Sequence, residues 1–318
     1  MSVKSVDYKA NLAASTIRGP SRVIWADCPI PDMLEDGGKG MYLFDDFMKV
    51  GNTDMSSAVA GSLAGWSVYG YAGAQLNDGQ LEGGVIKIGS NGDNEGVALL
   101  SSSGAFRFIT TSTLALNQKM WFECRWRRSS VTTAIADHFI GLMGPTLSSG
   151  LPAAAQPITT TDDTLMTAGN FFGFHSTATT GVRGGPTEVA VAFELTSGTI
   201  NYPTNLTTLM ASSGNSVLTA SSFVKTGFLF DPNAVPKIVT APTARQTTGS
   251  VRRPIIRFFV NGLELPTFLT TEDIQNATSG QAFPTAFMTP VMAVMNTAGS
   301  ATNTLDIDWI ACAQLANS

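Results

Sequence analysis

Short apolar segments separated by turn residues run along most of this chain and constrain its fold more than any other feature. Residues 119–127 show the pattern best, because two kinds of side chain alternate there from one position to the next. A period of two is typical of a strand, whereas an amphipathic helix repeats its apolar positions every 3.6 residues or so. The sequence therefore predicts an all-β protein. In this strand, one predicted face carries Met120, Phe122, Cys124 and Trp126, and the other carries Trp121, Glu123 and Arg125.

We predict a series of short strands from such segments. They lie at residues 41–47, 66–69, 84–88, 95–100, 106–108, 119–127, 138–143, 171–175, 189–195, 223–230, 255–260 with 263–265, 287–295 and 304–314. The clearest pair flanks Asn261-Gly262. Since Asn-Gly accepts the positive φ values of a type I′ turn, these two strands are predicted to form a hairpin.

The composition agrees with strands joined by many turns, because the chain has 31 glycines and 15 prolines. Only 14% of its residues are charged, against about 25% in an ordinary soluble domain. Such low charge suggests that much of the surface is buried against partners. The formal net charge of −5 argues against a broad basic surface for nucleic acid. No apolar run reaches the roughly 18 residues that a membrane-spanning helix needs, so no membrane contact is predicted.

Cys28, Cys124 and Cys312 are too few and too scattered for a disulfide framework. They also lack the spacing of zinc ligands. No apolar signal segment is visible near the start of the sequence. We therefore expect buried thiols in a protein that is made in a reducing cytoplasm.

Residues 1–40 differ from the remainder, because they contain three prolines and an acidic cluster followed by two glycines. Proline fixes φ and removes a ladder donor. We predict an extended N-terminal arm at 1–40, with at most one short strand at Val23–Ala26. Residues 41–318 are predicted to form a single β-sandwich. Its long loops are expected at 144–169, 196–222 and 231–253.

The two histidines offer the first candidates for chemistry. His138 follows Asp137, as in a catalytic pair, but no G-x-S-x-G nucleophile motif occurs in the chain. His138 also opens an apolar strand, and His175 ends one. Both are predicted to be structural histidines.

Paired carboxylates are the second candidates, since sandwich folds host glycosidases that use two acids. Asp306 and Asp308 share one face of a predicted strand, and Glu188 and Glu194 flank another. A glucanase pattern would place a third acid at 310, where Ile310 stands. Rim or turn roles are therefore favoured.

Two remaining groups could bind a ligand. Residues 91–96 resemble half of a calcium loop, but the twelfth position is Ser102 rather than a bidentate glutamate. Asp45-Asp46 could also bind a cation, but two acids at the end of a strand more commonly have no ligand. A basic and aromatic cluster, which could bind single-stranded nucleic acid, is formed by Trp121, Arg125, Trp126, Arg127 and Arg128. With the acidic net charge, packing is the favoured role. No catalytic, cofactor or metal site is predicted, and the chain is expected to be non-enzymatic.

The order of several motifs carries more information than any one of them. They are Phe44-Asp-Asp-Phe47, Trp66, Gly83-Gly84-Val-Ile-Lys-Ile88, Trp121-Phe-Glu-Cys-Arg-Trp126, Phe171-Phe-Gly-Phe-His175, Arg257-Phe-Phe-Val-Asn-Gly262 and Leu305-Asp-Ile-Asp-Trp-Ile310. Over residues 41–318 this order resembles the concanavalin A-like (laminin G-like) jelly-roll sandwich found in virion structural proteins of tailed bacteriophages.

The resemblance implies a capsid decoration (cement) protein that binds the lattice of the major capsid protein on the virion surface. It also allows a tail or receptor-binding, lectin-like module that binds glycans, and more remotely a glycan hydrolase. A homo-oligomer is the general expectation for such a subunit. An arm at 1–40 could clasp a neighbouring subunit by adding a strand to a sheet edge.

Overall fold

Strands dominate the structure, a computed structural model, and two short helices precede them. The structure describes residues 18–48, 53–54, 61–63, 65–70, 75–77, 84–90, 96–102, 106–108, 118–131, 136–144, 170–176, 185, 187–194, 201–205, 217–234, 253–270, 286–296 and 303–316. Helix α1 is Arg22–Trp25 and helix α2 is Ile30–Glu35. Within these ranges no helix combines the length and the apolar character needed to cross a membrane.

The described ranges contain seventeen strands, numbered in chain order. They are β1 (Gly40–Asp45), β2 (Thr53–Asp54), β3 (Gly61–Leu63), β4 (Trp66–Gly70), β5 (Gln75–Asn77), β6 (Ile86–Ser90), β7 (Gly96–Ser101), β8 (Met120–Arg128), β9 (Ala136–Met143), β10 (Phe171–Ser176), β11 (Ala190–Glu194), β12 (Asn201–Asn205), β13 (Val224–Ala234), β14 (Arg253–Val260), β15 (Leu263–Thr270), β16 (Thr289–Asn296) and β17 (Asn303–Leu315).

These strands form two antiparallel sheets. Sheet A has nine strands in the order β15-β14-β13-β8-β17-β6-β5-β2, with β1 also paired with β17. Sheet B has eight strands in the order β12-β11-β10-β9-β16-β7-β4-β3. The long strand β17 lies inside sheet A, between β8 on one side and β6 and β1 on the other. The prediction of an all-β sandwich is confirmed, because two antiparallel sheets enclose one apolar core.

Apolar side chains that alternate along facing strands fill the space between the sheets. On β8, the four residues predicted to share one face all belong to this core. Aromatic rings from both sheets meet at its centre: Phe122 stacks on Phe228 with ring centroids 5.0 Å apart, and Phe172 meets Phe228 edge-on at 4.9 Å. Each such ring contributes about 1.5–3 kcal/mol through burial. The period of two was therefore sufficient to assign the core face of β8.

The predicted hairpin is present as β14 and β15. Asn261 has a φ of 50° and Gly262 a φ of 76°, the two positive values that a type I′ turn requires. β15 ends the strand order of sheet A, and it contains Pro266. Proline cannot donate to a ladder and is tolerated in edge strands.

β9 and β10 approach each other closely at a cross-strand pair of glycines, Gly141 and Gly173. A Cβ atom on Gly141 would lie 2.3 Å from the carbonyl oxygen of Phe172 and 2.5 Å from Cα of Gly173. Real Cβ atoms essentially never come so close to backbone atoms. Glycine is therefore required here for packing.

The predicted strand at Val23–Ala26 is wrong, because residues 22–25 form helix α1. The amide of Trp25 donates to the carbonyl of Ser21 at 3.2 Å, and a helical turn brings residues four apart onto one side. Residues 18–35, hereafter the N-terminal segment, lie against sheet A rather than extending away from it. Residues 1–17 are outside the described ranges, and the division at residue 40 remains a prediction.

Other predicted elements differ in detail. Residues 106–108 form no strand but a single bridge between Phe106 and Met288. β2, β3, β5 and β12 were not predicted, and β12 falls inside the loop expected at 196–222. Most of that loop, and most of those at 144–169 and 231–253, lies outside the described residues.

Candidate functional site: the N-terminal segment on sheet A

An apolar contact seats the N-terminal segment on sheet A. Ile24 of α1 is completely buried, and it lies over Gly227 of β13. A Cβ atom on Gly227 would lie 2.8 Å from Cδ1 of Ile24, so the glycine makes room for the isoleucine. The segment's Ile24 and Met33 form one buried cluster with residues of the sheet, namely Trp121, Leu229, Phe259 and Ala313.

A buried carboxylate beneath the segment receives three hydrogen bonds from it. Ser21 donates its amide to Glu123 Oε2 at 2.8 Å and its hydroxyl to Oε1 at 2.5 Å. The indole N–H of Trp25 donates to Oε2 at 2.9 Å. Glu123 is completely buried, and burial raises its pKa although the bonds from Ser21 act to lower it. The helical turn of α1 explains how two donors from one segment reach the same acid.

Lys225 lies beside this carboxylate on the neighbouring strand β13. Its Nζ donates to the carbonyl oxygen of Gly19 at 3.2 Å. Burial lowers the pKa of Lys225, and the charge of Glu123 partly offsets that effect. The lysine therefore contributes both a backbone anchor for the segment and a counter-charge for Glu123.

A second buried carboxylate holds the start of the segment. Asp308 accepts from Arg18 Nε at 2.9 Å and pairs with Arg18 Nη2 at 2.6 Å. Arg125 pairs with the other oxygen of Asp308. The pairing of β17 with β8 shifts register between Ile307 and Trp309, and the indole of Trp309 donates to the backbone carbonyl of Arg18. Arg18 is thus fixed by side chain and backbone.

Asp306, the other acid of the predicted pair, is bound to Arg127, whose Nε donates to Oδ2 at 2.8 Å. Arg125 and Arg127 both lie over the ring of Phe223, at 4.2 and 4.6 Å from its centroid. The prediction that Asp306 and Asp308 share a strand face is consistent with these contacts. Both carboxylates are buried and engaged by arginines, so neither is placed to act on a substrate.

The basic and aromatic cluster of the sequence is therefore divided by the fold. Arg125 and Arg127 are engaged with aspartates on the outer face of sheet A. Arg128 lies inside the sandwich, where its Nη1 donates to Ser176 Oγ at 2.7 Å. Burial lowers the pKa of Arg128 to about 10. These contacts favour the packing role predicted for the cluster.

A further polar contact holds the turn between α1 and α2 against sheet A. Asp27 accepts from Lys119 Nζ at 2.7 Å and from the Trp121 indole at 3.1 Å. Burial raises the pKa of Asp27, but these hydrogen bonds outweigh that effect and hold it below its ordinary value. The neighbouring thiol, Cys28, is half-buried, and burial raises its pKa to about 12. It is therefore a thiol rather than a thiolate at neutral pH.

Asp137 and His138 do not form a catalytic pair. They are consecutive on β9, and consecutive strand residues point to opposite faces. His138 shares the face of Ala136 and Ile140, which belong to the inter-sheet core, and it is 1% exposed. Burial, followed by the charge of Arg128, lowers its pKa well below the ordinary value. The predicted structural role of His138 is supported by this placement.

We expect acid to destabilise the sandwich through His138. Its stabilising contribution is complete above its unfolded pKa, near 6.5, and is lost as pH falls towards the depressed folded value. The loss is up to about 1.4 kcal/mol per pH unit. Urea unfolding at pH 7 and pH 5 would measure it, with His138→Met, which does not titrate, as the comparison. An equal pH dependence in the two proteins would contradict this assignment.

The remaining predicted residues have structural partners. Asp45 accepts from the Trp66 indole at 2.7 Å and from the amide of Phe47 at 2.8 Å. It thereby fixes the turn after β1, where Phe47 has a φ of 55°. Ser102 donates its hydroxyl to the carbonyl oxygen of Gly65.

Several other candidates are resolved only in part. Residues 91–95 lie outside the described ranges, as does the side chain of Glu194. The carboxylate of Glu188 accepts from the amide of Gly185 at 3.0 Å. Cys124 and Cys312 are buried free thiols. In the described part of the chain, no three His, Cys, Asp or Glu side chains are grouped to hold a metal ion.

Most of the exposed large apolar side chains fall in one stretch of the sequence, from α1 to the turn after β1. Of the large apolar side chains exposed in the described residues, four lie between residues 23 and 48: Val23 at 56%, Leu34 at 69%, Phe44 at 42% and Met48 at 65%. The other two are Leu263 and Phe287.

Comparisons with known proteins yield a likeness of fold. No protein-family model matches the chain, and no curated protein sequence matches it. Peanut lectin, solved with a nine-residue peptide, is 12% identical, with a TM-score of 0.49, covering 88% of this chain and 100% of the lectin. The endo-1,3-beta-glucanase of Streptomyces sioyaensis is 13% identical, with a TM-score of 0.45, covering 88% of this chain and 98% of the glucanase.

Arcelin-5, a lectin-like defence protein from Phaseolus vulgaris, is 8% identical, with a TM-score of 0.45, covering 87% of this chain and 98% of arcelin. At such identities the likeness concerns the fold alone. It does not indicate what this chain binds.

Sequence reasoning missed the docked segment because its contacts join residues far apart in the chain. Ser21 and Glu123 are 102 positions apart, and Arg18 and Asp308 are 290 apart. One local signal was present, since Glu123 interrupts an aromatic strand. A charge in a central strand requires a buried partner, which the segment supplies.

Proposed function

We propose that this chain is a non-enzymatic structural protein of a virion, a decoration protein that binds and stabilises the lattice of the major capsid protein of a tailed bacteriophage. The observation that carries the proposal is that four of the six large apolar side chains exposed in the described residues lie between residues 23 and 48. A capsid lattice offers repeated copies of one surface, so modest contacts of this kind gain avidity.

The hydrogen bonds and ion pairs that hold the segment on sheet A, hereafter the clamp, support the same role. The segment is fixed by two buried carboxylates, Glu123 and Asp308, and by Lys225. A binding surface that is already rigid loses less conformational entropy when it binds, so a firmly held segment favours attachment. Low overall charge, at 14% of residues, is also compatible with a surface that packs against neighbours.

The exposed positions on the two helices give the sharpest test. The double variant Val23→Asp/Leu34→Asp is expected to lower capsid occupancy at least tenfold, because two carboxylates would be desolvated in an apolar contact. Both side chains are more than half exposed, so stability should change little. Cosedimentation with undecorated shells of the major capsid protein would measure occupancy.

Leu263→Asp is the matched control. Leu263 is 59% exposed but lies on β15, the edge strand beyond β14. This variant is expected to bind as the unmodified protein does. Full occupancy of the double variant, or equal loss in both variants, would overturn the proposed surface.

Glycan binding is the second candidate, and the exposed ring of Phe287 favours it. Phe287 is 52% exposed, and the guanidinium of Arg107 lies 4.8 Å from its ring centroid. Aromatic rings with a nearby polar donor suit the apolar face and hydroxyls of a sugar. A screen against host polysaccharides, repeated with Phe287→Ala, distinguishes this role: binding that the variant loses would favour a tail or receptor-binding module.

A further inference from the structure

The most exposed aromatic ring of the described residues stands on a firmly held backbone. Phe287 is 52% exposed, and it lies directly before Met288. The amide and the carbonyl of Met288 both pair with Phe106 at 2.7 Å, and Met288 and Phe106 are completely buried. The core therefore fixes the position from which the ring of Phe287 projects.

Arg107, beside this ring, is held through its own backbone. Its amide donates to Gln314 Oε1 at 3.0 Å, and its carbonyl accepts from Gln314 Nε2 at 2.6 Å. Gln314 belongs to β17 of sheet A and is 6% exposed, whereas Met288 leads into β16 of sheet B. Phe106 and Arg107 are thus tied to both sheets. A contact surface fixed in this way loses little conformational entropy on binding.

The guanidinium of Arg107 is the part of this pair that lacks an acceptor. It lies 4.8 Å from the ring centroid of Phe287, a cation–π distance, and no oxygen of the described residues accepts a hydrogen bond from it. By contrast, Arg18, Arg125 and Arg127 each pair with an aspartate. An arginine presents its donors in a planar fork that matches the two oxygens of a carboxylate. The fork of Arg107 is therefore complementary to a carboxylate of another molecule.

We propose that Arg107 and Phe287 form a contact with a protein partner that presents an aspartate or glutamate beside an apolar side chain. The guanidinium binds the carboxylate, and the exposed ring packs on the apolar neighbour. Arginine and aromatic residues are enriched in protein interfaces, and a bidentate pair adds direction to the contact. The inference rests on the proposed function, since the partner is the major capsid protein, and it adds a second contact to that of Val23 and Leu34.

Arg107→Gln tests the contact, because it removes the charge and the fork but leaves the backbone bonds to Gln314. Stability should change little, which urea unfolding would check. Cosedimentation with undecorated shells is expected to show an affinity about tenfold lower, since the partner's acid loses its counter-charge. Rising salt should weaken binding of the unmodified chain more than that of the variant. Arg257→Gln is the matched control: Arg257 pairs with Glu264 of its own chain, so this variant should bind shells normally.

Two further variants separate the ring from the charge. Phe287→Ala should lower the affinity for shells but keep its salt dependence, and Arg107→Lys, which keeps the charge without the fork, should lie between Arg107→Gln and the unmodified chain. Equal shell binding by Arg107→Gln and the unmodified chain would overturn the proposal and leave the proposed function standing. Failure of the unmodified chain to bind shells would overturn both. Normal shell binding by Arg107→Gln with loss of polysaccharide binding would assign the pair to a glycan instead.

Discussion

Gly141→Ala is expected to lower the free energy of unfolding by about 3 kcal/mol, the upper part of the range for overpacked cores. The new methyl group would lie 2.3 Å from the carbonyl oxygen of Phe172 and 2.5 Å from Cα of Gly173. Both obstacles are backbone, so no side-chain rotation relieves the clash, and β9 must separate from β10. Equilibrium unfolding in guanidinium chloride would measure the change.

Gly144→Ala is the matched control, because it follows the same strand. Its new methyl group would lie 3.5 Å from the nearest atom, the carbonyl oxygen of Asn170, which is an ordinary contact distance. We expect a change below about 1 kcal/mol. Similar losses in both variants would show that the close approach of β9 and β10 is not what requires glycine.

Glu123→Ala is expected to release the N-terminal segment from sheet A. The amide and hydroxyl of Ser21 and the indole of Trp25 would lose their shared acceptor, and Lys225 would lose a nearby counter-charge. Breaking a buried charged network typically costs about 3–5 kcal/mol. Hydrogen exchange over residues 18–35 should become fast, while exchange in the inter-sheet core strands stays slow.

Two comparison variants make the Glu123 result specific. Glu123→Gln keeps one acceptor oxygen and is expected to cost roughly 1 kcal/mol. Glu264→Ala removes an acid of the same sheet that is about half exposed and lies 3.6 Å from Arg257, so it should have almost no effect. Continued protection of residues 18–35 in Glu123→Ala would contradict the clamp described here.

Deletion of the whole arm would disrupt the clamp as well as remove the exposed apolar side chains. Removing all of residues 1–40 would uncover Glu123 and Asp308, both of which are 1% exposed or less. Loss of capsid binding in such a variant could then reflect instability rather than a lost contact. Substitution of the exposed Val23 and Leu34 avoids that difficulty, since neither side chain covers the buried acids.

Much of the fold follows from local pattern. The alternation in β8 assigned its core face correctly, and Asn261-Gly262 fixed the turn between β14 and β15, because both features depend on neighbouring residues. β12 lies inside the loop that was expected at 196–222, and its sequence contains Pro203. Its place at the end of sheet B's strand order explains why proline is tolerated there.

The candidate site could not be predicted to the same extent. Val23–Ala26 was expected to be a strand because prolines surround it. Instead α1 forms there, with Ile24 packed over Gly227 and Ser21 hydrogen-bonded to Glu123. Those partners lie on distant strands, and only the assembled sheet brings them together. The exposure of Leu34 likewise depends on which face of α2 packs against the sheet.

The number of copies bound per shell subunit is the most direct test of the proposed binding to a capsid lattice. Purified full-length chain would be titrated onto undecorated shells of the major capsid protein, sedimented, and quantified in the pellet. We predict saturation at a fixed stoichiometry set by the lattice. Sedimentation of shells without bound chain at any concentration would contradict the claim.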